Sequence, residues 1–114
     1  MSSLARFIVL GLLVMVGAKA FGQTMTGQQL LYAIERPRSQ DEKMAGIMLV
    51  GNVTFKSDGV THCKPSNATV AQAVAITEKF LKENPRVWNL DAIDVTSAAL
   101  SYAWPCKRGR QHSG

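Results

Sequence analysis

Three times in this chain a serine or threonine stands three positions ahead of a glutamate or glutamine and opens a run of patterned residues: Thr26 with Gln29, Ser39 with Glu42, and Thr69 with Gln72. That spacing is a capping box, in which the hydroxyl takes the backbone N–H of the third helical residue and the longer side chain returns to the N–H of the cap. Each start is matched by a stop. The first run, "TGQQLLYAIER", carries Leu30, Leu31 and Ile34 on one side and breaks at Pro37, whose ring cannot continue the ladder. The run from Thr69 to "ENP" puts Val70, Ala73, Val74, Thr77, Phe80 and Leu81 on one stripe, with Gln72, Glu78, Lys79, Lys82 and Glu83 opposite. Glu78 and Lys82 have the spacing of an i,i+4 ion pair. A last run, "LDAIDVTSAALSYAW", has Asn89 as its expected cap and Pro105 as its stop, with Asp91 and Asp94 as charges favouring the helix dipole. Ala92, Val95, Ala99, Tyr102 and Ala103 share its apolar face. The chain reads as all-α, a small domain of four to five helices.

The second run, "DEKMAGIMLVGNVTFKSDG", is apolar on both sides. Met44, Met48, Gly51 and Phe55 fall on one face with Ile47 beside them, and Leu49, Val50 and Val53 on the other. A helix apolar all round is buried all round. Gly46 and Gly51 each cost about 1 kcal/mol against alanine in a helix interior, a cost best explained by a very close helix neighbour. Two readings follow. The run is the central helix of a monomer, or it turns one face to the core and the other to a homodimer interface with Gly46 and Gly51 in the contact. A strand from Ile47 to Phe55 is a third option, and Gly59 is the expected helix stop.

Arg6, the apolar run Phe7–Val16 and the small residues Ala18 to Ala20 have the layout of a secretory signal peptide over residues 1–20. The run is too short to span a bilayer. A buried N-terminal helix and a retained membrane anchor are the alternatives. With the leader removed, one helical domain covers residues 21–106, a basic tail expected to be disordered covers 107–114, and no membrane contact remains. Arg6 and Lys19 leave with the leader, and Lys107, Arg108 and Arg110 lie in the tail. Between Phe21 and Cys106 eight basic residues meet eight acidic ones, so the basic pI of the whole chain marks no nucleic-acid surface.

An exported chain meets an oxidising compartment, and its two cysteines, Cys63 and Cys106, allow only one pairing. A domain this small gains from such a staple, worth about 4 kcal/mol by loop closure. If the last two helices run antiparallel, the bridge clamps them at one end, with Trp104 packed against it. The competing reading makes His62 and Cys63 a base and nucleophile. Otherwise the sequence holds no catalytic constellation, no metal-ligand spacing and no phosphate loop, so neither enzyme activity nor a cofactor is expected. Arg86 and Trp88, in "NPRVWN", are the candidate binding residues, since Arg and Trp often anchor interfaces. Trp88 folded back over the core is the alternative.

A leader, a glycine-containing helix, the Cys63–Pro65 loop, Thr69–Gln72, "FLKENP" and an alanine-rich helix ending in Pro105–Cys106 together resemble the Rap/Tai family of type VI secretion immunity proteins. The likeness runs from Thr26 to Cys106 and includes Gly46, Gly51, Phe80, Leu81, Asn84, Pro85, Ala99 and Leu100. It implies an all-helical, disulfide-bonded periplasmic protein, often a homodimer, that binds a peptidoglycan amidase toxin and blocks it. It supplies no contact residues. The alternative class is a periplasmic stress protein such as a small acid-stress chaperone.

Overall fold

The computed structural model describes residues 25–107, so the leader, the expected cleavage point and most of the tail lie outside the described residues. Four helices form where the caps place them: α1 (Gly27–Glu35), α2 (Gln40–Lys56), α3 (Val70–Glu83) and α4 (Ala92–Ala103), with a 3-10 turn at Pro85–Val87. Among the described residues there is no strand, only the isolated bridges Thr26–Asp91 and Asp58–His62. The all-α expectation holds, and Ile47 to Phe55 is helix.

Thr26 and Gln29 exchange both bonds of a capping box, as do Thr69 and Gln72. Ser39 makes only half of one. Its hydroxyl accepts from Glu42 N at 3.1 Å, while the Glu42 carboxylate turns away to Arg38 Nε at 3.0 Å. The cap of α4 is Asp91, not Asn89: its carboxylate accepts from Ile93 N at 2.8 Å. Backbone bonds explain the shift. Gly27 N donates to Leu90 O, Gln28 N to Trp88 O and Ala92 N to Met25 O, which hold residues 88–92 against the start of α1. At the other end α2 stops at Lys56, three residues before Gly59, whose φ of +83° belongs to the turn that follows.

Every pair of the four helices is in contact around one core. Leu30, Ala33, Val50, Ala73, Leu81, Ala92, Val95, Ala99 and Leu100 are buried there. Three threonines, Thr54, Thr77 and Thr96, are fully buried among them, and each donates its hydroxyl to the carbonyl four residues back, at 2.7–2.8 Å. That bond satisfies the hydroxyl without a tertiary partner. Tyr102 departs from its expected place, being 85% exposed, because the last turn of α4 runs past the core. Lys82 also departs: its ammonium reaches across to Glu35 of α1 at 3.2 Å, not along α3 to Glu78.

The glycines separate by what faces them. A Cβ on Gly27 would stand 2.9 Å from Val87 O, so α1 and the 3-10 turn approach at a distance only glycine permits. On Gly46 it would stand 3.0 Å from the Ala33 Cβ, in the α1–α2 crossing of the same chain. On Gly51 it would meet the Val70 methyls at an ordinary 3.7 Å. Gly51→Ala is therefore expected to raise stability by roughly 1 kcal/mol through helix propensity, whereas Gly46→Ala should lower it by about 1–2 kcal/mol through overpacking. Urea denaturation of the two variants checks the opposite signs.

Glu35 and Glu78 share a hydrogen bond across α1 and α3. That bond, with help from Lys82, holds the Glu35 carboxyl below its ordinary value, and the same bond, with partial burial, raises Glu78. A lowered carboxyl loses its stabilising effect as pH falls through its folded value, and a raised one as pH rises through its folded value. The pair is thus best satisfied with one proton, in mildly acid solution between the two values. Glu78→Gln supplies a neutral donor at every pH. The variant should gain on wild type as pH rises through the raised value of Glu78 towards neutrality, a small shift at a site solvent still reaches. Urea midpoints followed from acid to neutral pH report it.

Candidate functional site

Two ends and one face of the molecule carry the features that chemistry can use. At one end Cys63 and Cys106 form a disulfide, with Cα atoms 4.9 Å apart, joining the loop before α3 to the residue after Pro105. Cys63 N also donates to Trp104 O at 2.8 Å, so backbone and sulfur hold the same junction. No thiol is free among the described residues, which removes Cys63 as a nucleophile.

His62 has a different task. It is fully buried, and its Nε2 lies 2.9 Å from Thr54 O, a bond in which the ring nitrogen must be the donor. Thr54 O is one of the last carbonyls of α2, a group that helix geometry leaves without an intrahelical partner. The imidazole therefore caps α2 from the loop. Its ring centroid lies 6.1 Å from that of Trp104, which packs half-buried against the core. The sequence reading missed this role, and the signal for it is modest: "SDGVTH" holds a glycine where the chain must turn back towards α2.

At the opposite end, the 3-10 turn brings Arg86 and Trp88 close in sequence but to different sides. Arg86 is exposed. Trp88 is half-buried against the core and donates its indole N–H to Leu81 O at 2.7 Å, closing the end of α3. The apolar residues offered to solvent here are Leu90 and Ile93, 49% and 42% exposed, neither of which the sequence reading singled out.

The third feature is the outer face of α2. Val50 and Val53 are buried, while Met44, Met48 and Phe55 on the other side are 44–60% exposed. The helix is apolar on two faces, and one of them is uncovered in a single chain. Gly46 lies on the covered side, against α1, and Gly51 faces Val70 of α3. Both glycines, expected at a dimer contact, thus have neighbours within their own chain. The Lys64 ammonium stands 5.5 Å from the Phe55 ring centroid, a cation–π contact.

Among the described residues no group of three or more metal-binding side chains assembles, and no helix is long and apolar enough to cross a membrane. Comparison with curated proteins and with solved structures finds no match. A family model does match, described as that of Rap1a immunity proteins, over residues 26–106. Its span opens on the Thr26 cap and closes on the bridging Cys106, taking in all four helices. The chain belongs to the Rap1a immunity protein family.

Proposed function

We propose that this protein is a periplasmic immunity protein that binds and inhibits a peptidoglycan amidase delivered by a type VI secretion system. Family membership makes it an immunity protein, a class that acts on a secreted toxin by binding and is typically non-enzymatic. The match over 26–106 is the observation that carries the reading. The apparent signal peptide supports export to the compartment where an amidase meets its substrate. A braced helical scaffold supports inhibition by occlusion, because a surface already ordered loses little entropy on binding. The "NPRVWN" end is the proposed contact. Arg86 is its exposed anchor, Leu90 and Ile93 add apolar area, and Trp88 fixes the turn from within. The test is co-expression with an amidase toxin encoded in the same locus and exported to the periplasm. Protection from lysis is expected, and lysis despite normal accumulation of this protein would reject the reading.

A second copy is the partner proposed for the outer face of α2, with Met48 at its centre. Met48→Asp would place a charge in that contact and is expected to give a monomer. Sedimentation at roughly tens of micromolar, where a modest interface shows, reads the difference. A wild type that is already monomeric there removes the dimer without touching the immunity reading.

A further inference from the structure

The sequence balances the charges of the body and hangs the excess on a tail, from which no membrane contact is expected. The fold alters where those charges stand. The Ser101 hydroxyl donates to Thr61 O, His62 is bonded to the end of α2, and the disulfide ties Cys63 to Cys106, so the C-terminal ends of α2 and α4 share one pole. Lys56 stands in the last α2 turn, Lys64 next to Cys63 and Lys107 next to Cys106, so all three positions lie at this pole. Lys64 and Lys107 line a groove of about 550 Å³ together with Ser66 and the two prolines Pro65 and Pro105. The one carboxylate of that groove, Asp58, accepts from Lys64 N at 2.8 Å. Among the described residues neither ammonium has a carboxylate partner.

Two apolar side chains project from the same pole. Val60 is 75% exposed on the turn and Tyr102 is 85% exposed on the last turn of α4, and their neighbours Thr61 and Ser101 are hydrogen-bonded to each other. The turn is braced: Gly59 N donates to His62 O at 2.6 Å, and Val60 N and Thr61 N both donate to Ser57 O at 3.0–3.1 Å. Val60 is therefore held outwards on a fixed support.

The geometry points to an anionic lipid surface as the ligand of this pole. Lys56, Lys64 and Lys107 meet headgroup phosphates, while Val60 and the amphipathic ring of Tyr102 enter the boundary between headgroups and acyl chains. A protein partner fits less well, since the cores of protein interfaces are depleted in lysine and call for a continuous packed patch. Here the apolar residues stand singly on a turn tip and a helix end, at the pole that also carries Lys56, Lys64 and Lys107. Charge complementarity selects the acidic lipid. The attachment is peripheral, and it does not depend on the identity of any toxin.

Co-sedimentation tests this, using protein purified from cells expressing the full gene. Mixed phosphatidylglycerol–phosphatidylcholine vesicles are compared with phosphatidylcholine alone, at low and high salt. Binding is expected only with the acidic lipid and should fall with salt. Lys64→Ser with Lys107→Ser should weaken it about 25-fold, taking roughly fivefold for each basic residue. Val60→Ser with Tyr102→Ser should weaken it about tenfold or more. Lys43→Ser with Lys79→Ser removes the same charge elsewhere on the surface and should change binding less than twofold. All these positions are exposed or half-buried, and circular dichroism with intact mass confirms fold and disulfide. Equal binding to both lipids, or equal loss from the two lysine pairs, would overturn the proposal. So would displacement by inorganic phosphate at matched ionic strength, which assigns the groove to a free anion. Capture of an acidic protein through this pole, without vesicle binding, would overturn it in favour of a protein partner.

Discussion

Cys63→Ser is expected to lower the unfolding free energy by about 4 kcal/mol, the loop-closure value for a bridge of this span. The bridge joins residues 43 apart in sequence, so most of that figure comes from restricting the unfolded chain. The folded state changes less, because Cys63 N still donates to Trp104 O and the Ser101 hydroxyl still reaches Thr61 O. The double variant with Cys106→Ser should therefore match the single one closely. Urea denaturation of oxidised and reduced wild type beside both variants checks this. A fall well under 2 kcal/mol would mean that the backbone junction alone holds the pole.

His62→Ala is expected to cost about 2–4 kcal/mol. It removes the bond to Thr54 O, leaves that carbonyl without a donor in a fully buried place, and opens a cavity beside Trp104. His62→Gln restores an N–H of similar reach and is expected to recover part of the loss. Denaturant midpoints with the disulfide intact separate this effect from that of the bridge. Equal destabilisation by Ala and Gln would show that volume, not the cap on α2, is what His62 contributes.

Caps and stops are local, and they were the most legible part of the sequence. Thr26 and Thr69 act within three residues of their partners, so spacing alone located α1 and α3. Local spacing points to Asn89 as a cap, whereas the bonds that select Asp91 come from Met25, Gly27 and Gln28, more than sixty residues away. The glycines teach the same lesson. Gly46 was legible as a site of close approach, but its neighbour, Ala33, is contributed by the same chain. Gly27 is not legible in the same way, because its constraint, Val87 O, is distant in sequence. The two apolar faces of α2 could be read from periodicity, yet only packing distinguishes the buried Val50 side from the exposed Met48 side. At the candidate contact, residue type marks Arg86 and Trp88 alike as binding residues, but packing turns Trp88 inward to Leu81 O, the alternative reading, while the side chains turned to solvent are Arg86, Leu90 and Ile93.

The function proposed for this immunity protein is neutralisation of an amidase by binding it. The most direct measurement titrates the purified protein against an amidase toxin encoded in its locus and follows peptidoglycan hydrolysis together with complex formation by size-exclusion chromatography. Hydrolysis is expected to fall to zero at a stoichiometric ratio, with a stable complex. Arg86→Ala should weaken that complex about thirtyfold, the equivalent of 2 kcal/mol for an interface anchor. Full hydrolysis at excess protein with no complex would contradict the account. Inhibition that persists unchanged in Arg86→Ala would keep the function and move the contact elsewhere on the surface.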